Sequence, residues 1–229
     1  MSTLPGAVGD CERFVDGLLD QPVNTLTSLA FVLAGMVVFM RLWRRRDSMR
    51  GTGVLAGMMI LTGVGSAAFH AWGGPMATWL HDASLAALLV VIVAIEVSRR
   101  IRRESFRTPW SAVGAASVLV ALWPVAGAVL AMALALAAAT LASAPPHWSC
   151  PSSPAAAQPG RVRRLILPAG LLWIGAVVFL SSRTGGPLCR PDSLIQGHGL
   201  WHILAALGLW LYAARLGSEP ASPSGLTDL

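Results

Sequence analysis

The chain has 229 residues, 55% of them hydrophobic and 12% charged, with a formal net charge of +6. About 25% charged residues is usual for a soluble domain, so a chain with half that charge and repeated apolar runs of helical length is a membrane protein that crosses the bilayer several times. The positive charge does not point to nucleic acid. All 17 basic residues are Arg, and they sit in short clusters between apolar runs, as cytoplasmic loops require.

Residues 1–22 form a polar N-terminal segment with Asp10, Glu12, Asp16 and Asp20, lacking the basic start and apolar core of a signal peptide. The first apolar run extends from Val23 to about Met40 and meets Arg41, Arg44, Arg45, Arg46 and Arg50. The second, Gly51 to His70, ends in the uncharged turn Ala71-Trp72-Gly73-Gly74-Pro75. The third, from about Trp79 to Val97, meets Arg99, Arg100, Arg102, Arg103 and Arg107. Each approaches the roughly 20 residues that a helix needs to cross a bilayer. Ser111 to Ser143 is too long for one span, and Trp123-Pro124-Val125-Ala126-Gly127 interrupts it where a tight turn fits, so it divides into spans at 111–123 and 126–143. A Pro/Ser/Ala-rich loop at 144–160 leads to a sixth span, Leu165 to Ser181. The polar segment Ser182 to Gln196 then precedes a seventh span, from Gly197 to about Ala214. The membrane domain thus covers 23–216, and the Ser/Pro/Gly-rich residues 217–229 form a flexible tail.

Arginine sets the orientation. The loops after spans one, three and five hold five, five and three Arg, while those after spans two and four hold none. Because cytoplasmic loops carry that excess, the expected fold is an all-α membrane protein: a seven-transmembrane helix bundle with its N-terminus outside and its C-terminus cytoplasmic.

With that topology the polar residues gather at one membrane face. Span two ends outward at His70, span three starts outward at His81 and Asp82, and span seven starts outward at His198 and His202. Asp10, Cys11, Glu12, Asn24 and Cys189 lie on the same side. His198 and His202 are four residues apart and therefore share a helical face. Three imidazoles, His70, His198 and His202, suffice to hold Zn2+ with a fourth position open to water. Such an ion lowers the pKa of that water to about 7 and polarises a carbonyl. Asp82 is the candidate base for the water, its other reading being a carboxylate set against the dipole of a helix start. Ser66, four residues before His70, is the candidate hydrogen-bond donor to an oxyanion. Alternatively it belongs to a small-residue run, Gly63-Val64-Gly65-Ser66-Ala67-Ala68, that lets helices pack closely. His81 projects elsewhere and stays outside the metal set. Glu96, beside Arg99 and Arg100, reads as a snorkelling ion pair. Cys11 and Cys189 share the side on which a disulfide persists, as a bridge or as two free thiols.

Taken in order, Cys11-Glu12, Gln21-Pro22-Val23-Asn24-Thr25-Leu26-Thr27-Ser28, Gly63 to His70, Asp82, Cys189 and Gly197-His198-Gly199-Leu200-Trp201-His202 resemble the motifs of the alkaline ceramidase family, here in a bacterial-type member. That family sits in a wider superfamily of seven-span metal-dependent hydrolases that includes the progestin/adiponectin-receptor-like proteins. The resemblance implies zinc on His70, His198 and His202, Asp82 as proton acceptor, Ser66 near the oxyanion, and Cys11 paired with Cys189. It implies a lipid substrate drawn from the bilayer of a plasma (bacterial inner) membrane, a ceramide-type amide cut to a fatty acid and a sphingoid base. It also implies Ca2+ near the N-terminus, onto whose ligands Asp10, Glu12 and Asn24 match. Phe14 stands where that family has an amide ligand, and Gln21 replaces a carboxylate; losing carboxylates weakens a hard-cation site. The expected function is a zinc-dependent intramembrane hydrolase of a lipid amide. The alternatives are a receptor or signalling protein of the same superfamily with structural zinc, and a metal-handling transporter. Asp82 and Ser66 separate the first from the second, since a structural zinc needs neither. The oligomeric state stays open.

Overall fold

The computed structural model describes residues 7–45, 50–100 and 159–216, and every regular element among them is helical. A short 3-10 turn, Ala7–Asp10, precedes five α-helices: α1 (Pro22–Arg45), α2 (Arg50–Trp72), α3 (Pro75–Arg100), α4 (Pro159–Ser181) and α5 (Gly197–Leu216). Among the described residues α1, α2, α3 and α5 are long and apolar enough to cross a membrane, while the apolar part of α4, Ile166–Ser181, is shorter. The spans expected at 111–123 and 126–143, most of the 144–160 loop and the 217–229 tail lie outside the described residues.

The helices overrun the apolar runs that announce them. Pro22, Pro75 and Pro159 each occupy the first position of a helix, where a missing N–H is no loss and the fixed φ already suits the helix. Consequently α3 starts at Pro75 rather than near Trp79, and His81 and Asp82 fall in its second turn. The α2–α3 turn needs two left-handed residues, and Gly73 and Gly74 supply them with φ of 61° and 89°. The Gly73 N–H closes α2 on the Phe69 carbonyl at 3.0 Å.

α2 packs between α1 and α3, α1 also packs on α5, and α5 on α4. The core lies along these contacts, with Phe31 and Val38 of α1, Leu55 and Met59 of α2, Leu88 and Ile92 of α3, and Leu209 and Tyr212 of α5. On α1 the opposite face is apolar and exposed: Leu26, Leu29, Leu33, Met36, Met40 and Trp43 recur every three or four residues, as a lipid-facing stripe must. The small-residue run of α2 does permit close packing. A Cβ on Gly63 would meet the Val32 backbone nitrogen at 2.9 Å, and one on Gly65 would meet the Leu80 carbonyl oxygen at 3.0 Å. Those two glycines bear the α1 and α3 contacts and leave Ser66 for another purpose. Towards the other end of the bundle Glu96 is buried and accepts a hydrogen bond from the Tyr212 hydroxyl at 2.8 Å. The side chains of Arg99 and Arg100, its expected partners, lie outside the described residues.

The N-terminal segment is tied across the end of the bundle. Cys11 and Cys189 form a disulfide with a Cα–Cα separation of 5.6 Å. Around it the Thr184 N–H donates to the Gly9 carbonyl at 3.0 Å, and the Cys11 N–H to the Thr184 hydroxyl at 3.2 Å. Arg13 pairs with Asp192 at 2.6 Å. On the other side the N–H groups of Asp20 and Gln21 reach the carbonyls of Ala71 and His70 at 2.8 and 3.0 Å. The disulfide closes a chain segment of 178 residues, and opening a bridge over so long a loop costs about 2–5 kcal/mol. A Cys11→Ser variant is therefore expected to melt well below the parent protein, and reductant should lower the parent's transition but not the variant's.

Candidate metal centre

Two helix ends deliver the site. His70 comes from the last turn of α2, and His198 and His202 from the first two turns of α5. All three are buried, and one ring nitrogen from each lies within 4.8 Å of the others. Ring centroids are 4.9 Å apart for His70 and His198, 5.4 Å for His70 and His202, and 4.6 Å for His198 and His202.

Hydrogen bonds behind the rings fix which nitrogen points inward. The Gln21 amide donates from Nε2 to the Glu12 carbonyl at 3.0 Å, which leaves Oε1, an acceptor, 2.7 Å from His70 Nδ1. His70 therefore carries its proton on Nδ1, and Nε2 bears a lone pair. The Thr27 hydroxyl donates back to the Val23 carbonyl at 2.8 Å, so at 3.1 Å it accepts from His202 Nδ1, with the same consequence for that ring. His198 Nδ1 sits 3.3 Å from the Asp10 carboxylate, a contact too poorly aligned to count as a hydrogen bond. The Nε2 atoms of His70 and His198 are buried with no hydrogen-bond partner. A buried polar atom without a partner is uncommon and costs about 1–3 kcal/mol, and a cation accepted by all three lone pairs would remove that cost. The residues fit a metal ion, and the donor set of three neutral imidazoles suits zinc.

Ser66 lies against this cluster. Its hydroxyl is 2.8 Å from Ser28 Oγ, and Ser28 donates to the Asn24 carbonyl at 2.7 Å. Ser66 thus donates to Ser28 and turns a lone pair towards His202 Nε2, 3.5 Å away. Asp82 accepts from His81 Nδ1 at 2.7 Å; among the described residues no hydrogen bond joins it to the three histidines. His81 stacks on Phe69 with ring centroids 4.9 Å apart, and its ring centre is 6.3 Å from that of His70. It is not a member of the cluster of three.

Of the residues expected to hold calcium, Asp10 and Glu12 have other partners. Both carboxylate oxygens of Glu12 accept N–H groups at the start of α1, from Val23 at 2.7 Å and Asn24 at 2.8 Å. This cap satisfies donors that a helix start leaves open. Burial pushes the Glu12 carboxyl above its ordinary pKa, against the pull of those two N–H groups and of His198. The Asn24 side chain is fully buried, and neither its oxygen nor its nitrogen has a hydrogen-bond partner.

Sequence reasoning did not find Asp10, Gln21, Thr27 and Ser28 as supports of the histidines. A signal was present: Gln21, Asn24 and Ser28 recur at three and four residues on one face of an apolar span. Polar side chains repeated along one face of a membrane helix need partners inside the bundle.

A family model described as Ceramidase matches residues 21–218, a stretch that contains the three histidines, Ser66, Asp82 and Cys189. No curated protein matches the chain.

Proposed function

This chain belongs to the Ceramidase family, and we propose that it is a zinc-dependent intramembrane hydrolase of a lipid amide, of ceramide type, releasing a fatty acid and a sphingoid base. The observation that carries the reading is the set of three buried imidazoles whose outer nitrogens face a partner and whose inner ones converge, those of His70 and His198 without a hydrogen-bond partner.

His70, His198 and His202 would hold the ion. Bound there, zinc supplies Lewis-acid polarisation of a carbonyl and acidifies a water to a pKa of about 7. Asp82, oriented by His81, takes the proton of the water as its oxygen bonds to the amide carbon. It returns that proton to the amide nitrogen as the C–N bond breaks, leaving a carboxylic acid and an amine. Ser66 serves the oxyanion by swinging its O–H from Ser28 to the former carbonyl oxygen. Gln21, Asp10 and Thr27 keep the three rings in the required orientation. The arginine distribution supports seven spans with residues 1–22 outside and 217–229 cytoplasmic. In that topology the site faces outward in a bacterial plasma membrane, and the substrate enters it from the bilayer.

The test is to purify the protein, measure zinc by mass spectrometry and follow fatty-acid release from long-chain lipid amides. One zinc per chain is expected. Asp82→Asn should keep its zinc and lose about 10²–10⁴ in kcat, the usual contribution of a general base. Full activity in that variant, or metal-free protein of undiminished activity, would sink the mechanism.

A further inference from the structure

Calcium takes six to eight oxygen ligands, and the N-terminal segment has few to offer. Glu12 gives both oxygens to the start of α1, and Gln21 gives Oε1 to His70. Asp10 Oδ1 accepts from Arg183 Nη1 at 2.9 Å and faces His198 Nδ1 at 3.3 Å. Asn24 Oδ1 is buried without a partner, but one amide oxygen does not make a cage for a hard cation. The residues do not fit calcium.

What the segment holds instead is a guanidinium. Arg183 follows the end of α4, and its Cζ lies 5.3 Å above the ring of Phe179. Phe179 in turn meets His198 edge-on with centroids 5.1 Å apart. A Cβ on Gly9 would collide with the Arg183 guanidinium, so the glycine leaves the volume the cation fills. The Thr184 N–H bonded to the Gly9 carbonyl at 3.0 Å fixes the two strands of chain at this spot. Arg183 is therefore clamped between Asp10 and Phe179, and both of those side chains touch His198. The Asp10 side chain is only 4% exposed, and a carboxylate so buried needs a cation beside it.

We propose that Arg183 is the resident cation of this N-terminal site, in the place of the calcium that the resemblance implies, and that through Asp10 it positions His198 as a metal ligand. The inference rests on the reading of the three histidines as ligands. A divalent ion next to a guanidinium is repelled, so the chain works without calcium, and Arg183 acts as a positioning residue through Asp10.

Zinc affinity, measured by competition with a chromophoric chelator on the full-length protein in detergent, separates the possibilities. Arg183→Gln should bind zinc about ten-fold or more weakly, as loss of an outer partner does. Arg183→Lys keeps the charge beside Asp10 but loses the planar stack on Phe179, and should recover part of that loss. The double variant Asp10→Asn/Arg183→Gln should lose no more than the worse single variant, because both act on His198 along one path. Millimolar Ca2+ added to zinc-saturated parent protein should leave its melting temperature unchanged. Calcium stabilising the parent, parental zinc affinity in Arg183→Gln, or additive losses in the double variant would overturn the proposal. None of these readings uses lipid hydrolysis. Protein that binds zinc tightly yet cuts no amide would sink the proposed activity and leave Arg183 in its role, whereas no zinc binding at all would overturn both.

Discussion

Replacing His202 with alanine is expected to strip the metal from the protein and abolish amide hydrolysis. His202 is one of the three proposed ligands, and two imidazoles fall short of the three protein ligands that hold a catalytic zinc. Its loss should exceed the roughly 10–100-fold that removal of an outer-shell partner costs. Thr27→Val provides the scale: it deletes only the oxygen 3.1 Å behind His202 Nδ1, frees the ring to turn, and should weaken zinc within that smaller range. Chelator competition on both variants checks the order. Helical circular dichroism and an intact Cys11–Cys189 bridge show that the bundle survives. Thr27→Val weaker than His202→Ala in zinc binding would reverse the assignment of ligand and support.

A large stability effect is also expected at Gly63. An alanine there would press its methyl on the Val32 nitrogen at 2.9 Å, the Phe31 Cβ at 3.0 Å and the Val32 Cγ2 at 2.7 Å. Two of these atoms belong to the α1 backbone or its root and cannot swing aside, so the helices must part. Overpacking of this kind costs about 1–3 kcal/mol. The damage should also reach the site, because the 2.8 Å Ser28–Ser66 hydrogen bond spans the same interface and Phe31 lies 6.0 Å from His202, ring to ring. Gly57→Ala on the same helix is the control. No atom lies within 4 Å of its added methyl, and the gain in helix propensity of up to about 1 kcal/mol should leave it neutral or slightly more stable. Thermal unfolding in detergent distinguishes them, and a Gly63→Ala transition equal to that of Gly57→Ala would contradict the close approach.

The parts of the site legible in the sequence were those with a local signature. His198 and His202 declare themselves by their spacing, and His70 with Ser66 by the same four-residue interval. The Arg pattern predicts one side for Cys11 and Cys189, as a bridge or as two thiols, and the structure joins them. What composition could not supply was the pairing of side chains far apart in the chain: Gln21 with His70, Thr27 with His202, and Asp10 with both His198 and Arg183. The starts of α3 and α4 precede their apolar runs because polar and charged residues continue a membrane helix past its apolar window. Proline at the first position marks the start better than hydropathy does, as Pro75 shows for α3. Glu96 is expected to pair with Arg99 and Arg100, whose side chains lie outside the described residues, and it also accepts a hydrogen bond from Tyr212, 116 residues away.

The supports of the histidines come almost entirely from one stretch, Asp10 to Ser28, while two of the three histidines lie at 198 and 202. During synthesis the first of these stretches leaves the ribosome long before the second exists. A nascent chain that has made α2 holds His70 and its Gln21 bond but has no second ligand to offer, so it has no three-imidazole site with which to capture a metal. Assembly of the centre must wait until α5 has been made, and the Cys11–Cys189 bridge, which spans nearly the same interval, can close only once Cys189 exists. The three-imidazole site is thereby tied to synthesis of α5, and a product truncated before it carries the lipid-facing helices with only one of the three histidines.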